Sequence, residues 1–275
     1  MVIARRSAIV NVMAETAEKA GRALLRDFNE VEHLQVSKKG PGDFVSNADH
    51  KAEKIIMEQL QKARPSYSFL MEEGGVKKGT DASLKWIVDP LDGTTNFLHG
   101  LPHWAISIAL EKDGEVVAGV VYDPIKDEMF SAEKGTGAIM TGRRMRVSSR
   151  TDFSQCLIAI GGARFNNKDY EIYMAELAAV TPFAATRRFG AASLDICYVA
   201  AGRFDAFWER GLKAWDVAAA ALIVKEAGGY VSDMDGGKDY VYGGSFITGN
   251  PAIHGDLLKR LKAVGKEDKK VKSAS

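Results

Sequence analysis

The sequence predicts an α+β fold that turns α/β in its second half, and three observations predict it. Two long amphipathic stripes stand at the start, short apolar runs bounded by turn residues follow them, and beyond Arg150 strand-like and helix-like stretches alternate. At 275 residues and 46% hydrophobic content the chain can bury a substantial core, as one large domain or two closely joined halves. With 27% charged and 9% aromatic residues it is neither disordered nor low-complexity.

The first stripe is Ile9, Val12, Met13, Ala17, Ala20, Leu24 and Phe28, recurring at helical spacing, so a helix is expected over Ala8–Phe28. Lys38-Lys39-Gly40-Pro41-Gly42-Asp43 breaks it and reads either as a charged flap or as a solvated connection. A second helix should start near Ser46 and run through Ala52, Ile55, Ile56 and Leu60 to Pro65. Apolar runs at Ser68–Met71, Trp86–Val88, Ala105–Leu110 and Val116–Tyr122 read as strands. Lys112-Asp113-Gly114 between the last two is a hairpin signal, so part of the sheet is antiparallel.

Past Arg150 the expectations are a strand at Leu157–Ile160, a helix at Tyr170–Val180, a helix at Ser193–Ala201 and a strand at Phe204–Trp208. An alanine-rich helix at Ala214–Ala227 is closed by Gly228-Gly229, strands follow at Tyr230–Ser232 and Phe246–Thr248, and a helix at Ala252–Val264 ends the pattern. The expected division is residues 1–150, residues 151–265 and a frayed lysine-rich tail over 266–275, with a cleft shared by the two halves.

Charge and cysteine content exclude several functions. Lys plus Arg is 37 against 36 for Asp plus Glu, which leaves no electrostatic footprint for nucleic acid or an anionic membrane. Cys156 and Cys197 sit in apolar stretches without CxxC spacing, so buried free thiols are expected rather than a disulfide or a zinc ribbon. No run reaches the roughly 18 apolar residues of a membrane span. The start of the sequence mixes charges in too early for a signal segment, so the cytoplasm is the expected compartment.

Chemistry concentrates in Trp86-Ile-Val-Asp89-Pro90-Leu91-Asp92-Gly93-Thr94-Thr95-Asn96. An apolar strand is expected to end there in two carboxylates three apart, within a turn stiffened by Pro90 and bent at Gly93. Carboxylates and the Leu91 carbonyl gathered at one point suit a hard cation such as Mg²⁺. Gly93-Thr94-Thr95 adds N–H groups and hydroxyls for a phosphate. Glu72 and Glu73 after the Ser68–Met71 strand, and Asp216 after Trp215, are acids at the ends of apolar elements. His99 and His103 have metal-pair spacing, but Gly100 and Pro102 disrupt a helix between them. Gly135-Thr136-Gly137 reads as a turn, and the arginines 143, 144, 146, 187 and 188 as solvated or paired, with one of the last two able to reach a phosphorylated ligand.

Glu72-Glu73, Asp89-Pro-Leu-Asp92-Gly-Thr-Thr95 and Trp215-Asp216 together resemble the three metal-site motifs of the inositol monophosphatases, within the lithium-sensitive, Mg²⁺-dependent sugar-phosphatase superfamily. The resemblance runs from about residue 8 to residue 264. Gly190-Ala-Ala-Ser-Leu-Asp195 and Tyr198-Val-Ala-Ala-Gly202-Arg203 are similar to its bacterial, SuhB-like branch. It implies a layered αβαβα sandwich, usually paired as a homodimer. It implies one Mg²⁺ held by Glu72, Asp89 and the Leu91 carbonyl, and a second held by Asp89, Asp92 and Asp216. Glu72 and Thr94 would activate a water, Asp92, Gly93 and Thr94 would face the phosphate, and Arg187, Ala192 and Glu209 would contact the sugar or cyclitol. Lys38 would belong to a mobile loop near the metals.

The implied reaction is in-line attack of a metal-activated water on a phosphomonoester, with inositol 1-phosphate as first candidate. Fructose 1,6-bisphosphate, histidinol phosphate, adenosine 3′,5′-bisphosphate and a non-catalytic partner role in RNA processing or transcription are the alternatives. Two positions depart from the family pattern: Gly74 stands where Ser is usual and Ser193 where Ala is frequent. Neither is expected to touch a proposed ligand.

Overall fold

A computed structural model describes residues 6–30, 36–40, 43–162 and 167–273; for 36–40, 43–45, 167–169 and 265–273 it is the backbone that is described. Helix α1 (Ala8–Phe28) is capped by the Ser7 hydroxyl, which accepts from the Val10 N–H. A short hairpin, β1 (Val36–Gly40) and β2 (Asp43–Ser46), leads into α2 (Asn47–Ala63). The Lys38 segment is therefore a strand facing Phe44 rather than an open loop, while Pro41 and Gly42 lie outside the described residues.

An eight-stranded sheet follows. Its strands are β3 (Tyr67–Met71), β4 (Gly75–Lys77), β5 (Asp81–Asp92), β6 (Ala105–Lys112), β7 (Glu115–Asp123), β8 (Glu128–Glu133), β9 (Gly137–Met140) and β10 (Arg143–Arg144), with the short helix α3 (Thr94–Leu98) after β5. Their order is β10-β9-β8-β7-β6-β5-β3-β4, antiparallel except for β3 beside β5. The β6–β7 hairpin turns at Asp113 and Gly114 with φ of 51° and 81°, the left-handed pair that its Asp-Gly sequence predicts.

The second half contributes β11 (Leu157–Ile160), α4 (Asn167–Val180), β12 (Ala185–Arg187), α5 (Ala192–Ala200), β13 (Ala206–Arg210), α6 (Ala214–Glu226), β14 (Tyr230–Ser232), β15 (Ser245–Gly249) and α7 (Pro251–Ser273). Its five-stranded sheet has the order β12-β11-β13-β15-β14, with β11 parallel to both of its neighbours. The stretch from 266 expected to fray continues as helix to Ser273.

Apolar faces stack these elements as αβαβα. Helices α1 and α2 cover one face of the large sheet, where Met13, Leu24, Ile56, Trp86 and Ile108 meet. Helices α5 and α6 fill the space between the two sheets, and α7 with α4 closes the outer face of the small one around Ile158, Trp208 and Leu257. Both cysteines are buried free thiols, as their apolar settings predict. No helix among the described residues is long and apolar enough to cross a membrane.

One buried group makes stability depend on pH. His254 is 9% exposed, its Nε2 lies 3.0 Å from the Ser232 hydroxyl, and burial lowers its pKa from the ordinary 6.5. The unfolded chain therefore takes up a proton at a higher pH than the folded one. The stabilisation is complete above about pH 6.5 and is lost as pH falls through the depressed folded value. Urea unfolding should show a His254→Leu variant losing less stability than wild type between about pH 7 and 5; equal losses would exclude His254 as the source.

Candidate active site

The site lies where β3 ends beside its parallel neighbour β5. Met71 pairs with Val88, and the Glu72 N–H donates to the Val88 carbonyl at 3.2 Å, which sets Glu72 beside Asp89. The sequence predicts that β5 stops at this point. Instead it continues to Asp92 through a bulge: Asp89 faces Ser107 and Asp92 faces Ala105, three steps on one strand against two on the other. Pro90 has no N–H for the ladder, and the Leu91 N–H turns to Asp89 Oδ1 at 2.9 Å. A regular strand would send residues three apart to opposite faces. The extra residue brings Asp89 and Asp92 to the same one.

Asp216 arrives from the other side. It is the third residue of α6, and its Oδ2 accepts the Lys213 N–H at 2.6 Å. The preceding Trp215 carbonyl accepts from the Ser107 hydroxyl at 3.1 Å, and Ser107 is the register partner of Asp89. Asp89 is 2% exposed, and its pKa is raised well above the ordinary carboxyl value by burial and then by the charges of Glu72, Asp92 and Asp216. Those four acids therefore feel one another. Among the described residues no group of three or more His, Cys, Asp or Glu side chains is gathered closely enough, as placed, to hold a metal ion.

Asp92 is held by the first turn of α5. Its Oδ1 accepts the Ala192 N–H at 3.2 Å, and its Oδ2 accepts the Ser193 N–H at 2.7 Å and the Ser193 hydroxyl at 2.6 Å. Burial pushes its pKa up to about 6 against the lowering effect of Ser193. The expectation that Ser193 touches no proposed ligand is thus corrected: an alanine there would lack the hydroxyl bond. Gly74 has a local reason. A Cβ on it would come within 2.9 Å of the Glu53 carboxylate, which also accepts the Glu73 N–H at 2.9 Å.

After Asp92 the chain bends at Gly93, with φ of 92°, and enters α3 at Thr94. A side chain at 93 would be strained in that conformation and would crowd Ala191 Cβ at 3.1 Å. Thr94 Oγ lies 3.0 Å from both Asp49 Oδ1 and the Leu91 carbonyl. Asp49 is a site residue that sequence reasoning missed. Its visible signal was a capping box: its Oδ2 accepts the Ser46 N–H and hydroxyl at the start of α2.

Glu209 faces the cluster from β13. Its neighbours Trp208 and Arg210 both bond Glu176 on α4, at 3.2 and 2.7 Å, so alternation turns Glu209 to the opposite face. Burial raises its pKa to about 8, and the charges of Asp216, Asp92 and Asp195 add to the effect. The Gly162 N–H donates to its Oε1 at 3.2 Å, and a Cβ on Gly161 would overlap its carboxyl carbon at 1.9 Å. A Cβ on Gly162 would meet the Arg188 guanidinium at 2.1 Å. Arg187 is exposed and donates to the neighbouring Thr186 carbonyl at 2.8 Å, while Arg188, exposed as well, lies beside Gly162.

The structure therefore brings Glu72, Asp89, Asp92, Gly93, Thr94, Ala192, Glu209 and Asp216 together, and the Arg187 guanidinium bonds its own strand. The Lys38 side chain lies outside the described residues. His99 is exposed, and His103 bonds Asp195 at 3.0 Å, so the two do not form a metal pair.

The chain as a whole is similar to known proteins. The profile described as inositol monophosphatase family matches residues 6–266. The chain is 54% identical over 258 residues to a protein named inositol-1-monophosphatase from Mesorhizobium japonicum, covering 94% of this chain and 97% of that one. It is 40% identical over 256 residues to a protein named Nus factor SuhB from Escherichia coli, covering 92% and 96%. Among solved structures, the extragenic suppressor protein suhB from Bartonella henselae superposes with a TM-score of 0.91 at 53% identity, covering 93% of this chain and 99% of that one.

Proposed function

Because the chain belongs to the inositol monophosphatase family and is a phosphatase, we propose that it hydrolyses a phosphomonoester with Mg²⁺ as cofactor, and that inositol 1-phosphate is its substrate. One observation carries the reading: four carboxylates, from the turn after β3, from β5 and from α6, act on one another at Asp89 beside the Gly93-Thr94 turn. The donor set is all oxygen and strongly anionic, which fits a hard divalent cation. Asp89, Asp92 and Asp216 are each oriented by a backbone N–H, from Leu91, from Ala192 and Ser193, and from Lys213.

Glu72, Asp89 and the Leu91 carbonyl would hold one ion, and Asp89, Asp92 and Asp216 a second. Mg²⁺ bound there lowers the pKa of water and offsets the charge on the transferring phosphoryl group. The protein's own share is placement. Whichever of Asp49 and Leu91 takes the Thr94 hydroxyl proton, the oxygen keeps lone pairs that accept from a water, and Glu72 orients that water beside it. The N–H groups of Gly93 and Thr94 face the phosphate, and Glu209 meets the hydroxyls of the cyclitol. Lys38, in the β1–β2 hairpin, would belong to the loop near the metals.

The test is phosphate release from inositol 1-phosphate, fructose 1,6-bisphosphate, histidinol phosphate and adenosine 3′,5′-bisphosphate, with and without Mg²⁺ and then with Li⁺. Fastest release from inositol 1-phosphate, dependent on Mg²⁺ and inhibited by Li⁺, is expected. Release from another ester alone would overturn the substrate and keep the chemistry. Ser193→Ala should raise the Mg²⁺ concentration for half-maximal rate by about tenfold, since it removes a bond that aims Asp92; an unchanged requirement would contradict that role.

The homodimer and the cytoplasmic setting belong to the same proposal. Exposed Tyr170 and Met174 on α4, with Phe183 and Phe189 around β12, support pairing, and sedimentation equilibrium would test it. The likeness to a protein named Nus factor favours a second reading, a partner role in RNA processing or transcription. Recovery of the same partner by wild type and by the catalytically dead Asp89→Asn would support it.

A further inference from the structure

Asp92 belongs to the first half of the chain, yet the donors that orient it all belong to α5 in the second. Its aim is therefore only as good as the placement of that first turn. The turn is tied back by Asp195, which is 1% exposed and accepts the Gly190 N–H together with a bond to His103 Nε2 at 3.0 Å. The partner is a carboxylate, an acceptor only, so Nε2 carries the hydrogen.

His103 is itself fixed on several sides. Its carbonyl accepts from Asn96 Nδ2 at 2.8 Å, and the same amide reaches the Phe189 carbonyl at 2.7 Å. Its ring lies 5.0 Å from that of Phe189 and meets Tyr198 edge-on at 5.8 Å. The strand β6 that His103 leads into pairs with the bulge carrying Asp89 and Asp92. The imidazole thus joins the strand side of the site to the helix side at a buried carboxylate two residues from Ser193.

We propose that His103 is a positioning residue: through Asp195 it holds the first turn of α5 where its amides and the Ser193 hydroxyl aim Asp92 into the acid cluster. This rests on the reading of that cluster as a Mg²⁺ site. Loss of the bond lets the turn shift, and the affinity for the cation falls although no ligand has been removed.

The experiment is calorimetric titration of the purified chain with Mg²⁺, for wild type, His103→Phe, His103→Gln, Asp195→Leu, which has no acceptor for Nε2, and the double variant His103→Phe with Asp195→Leu. Melting temperature in chelator is measured alongside. His103→Phe should weaken Mg²⁺ binding about tenfold or more. His103→Gln, whose amide N–H reaches the same acceptor, should recover most of that loss. The double variant should cost no more than the larger single one, because both remove one interaction.

A His103→Phe variant that melts lower but binds Mg²⁺ as wild type does would show a merely structural role and overturn the proposal. So would a His103→Gln as weak as the phenylalanine. If His103→Phe does not fold, Asp195→Leu, similar in shape but without an acceptor, decides: unchanged Mg²⁺ binding by it overturns the proposal. Wild type that binds no Mg²⁺ would overturn the metal-site reading itself, a result distinct from these.

Discussion

Asp89→Asn is expected to lower kcat/KM for the phosphomonoester by at least about a thousandfold, roughly 4 kcal/mol of barrier. Asp89 is the acid that both proposed ion positions share, and the charges of Glu72, Asp92 and Asp216 all act on it. Asparagine keeps the shape and can still accept the Leu91 N–H at Oδ1. The loss would therefore report charge rather than collapse. In the metal-free protein the same change should raise the melting temperature, because it removes a buried charge from among like charges. Steady-state kinetics beside a melting curve in chelator checks both halves. A variant that melts lower and retains more than a tenth of the activity would contradict the account.

Gly119→Val is expected to cost about 3 kcal/mol of stability and to lower the melting temperature by roughly 8 °C. A Cβ at 119 would stand 2.7 Å from the Ala219 carbonyl oxygen and 2.9 Å from its Cα, so β7 and α6 touch backbone to backbone. No side-chain rotamer relieves that contact. The alanine run of α6, buried at Ala218, Ala219, Ala220 and Ala221, is what allows so close an approach. Because α6 carries Asp216, the displacement should reach activity as well as stability. Gly255→Ala is the control: nothing lies within 4 Å of its Cβ position on α7, and it should be neutral or stabilising by about 0.5 kcal/mol. Equal melting temperatures for the two variants would contradict the packing argument.

Long stripes and apolar runs are legible in the sequence, and three-dimensional partnerships are not. Helix α1 occupies the residues its stripe predicts, and β11 and β14 match their apolar runs. Strands β8 and β9 escaped notice because their short runs carry Glu128, Glu133 and glycines at the ends. The three residues of β12 are too few to show a period. In the sequence the bulge in β5 looks like the end of a strand, because Pro90 and Gly93 are turn residues; only the pairing with β6 shows the strand continuing.

The site divides in the same way. Glu72, Asp89, Asp92 and Asp216 stand out because each is an acid at the end of an apolar element. Asp49 sits in a polar stretch that reads as a helix cap, and its other partner, Thr94, is 45 residues away. Ser193 and Asp195 lie inside an apolar helix whose sequence says nothing of Asp92 or His103 across the interface.

The central claim is that Glu72, Asp89, Asp92 and Asp216 are the ligands of the catalytic cation. Anomalous scattering from crystals soaked in Mn²⁺, which takes the same oxygen ligands, tests it most directly. The account predicts a peak within about 2.5 Å of an Asp89 carboxylate oxygen, with a second ligand from Glu72, Asp92 or Asp216, and no such peak in Asp89→Asn. A peak elsewhere on the protein with none at Asp89, in crystals of an enzyme that turns over with Mn²⁺, would contradict it.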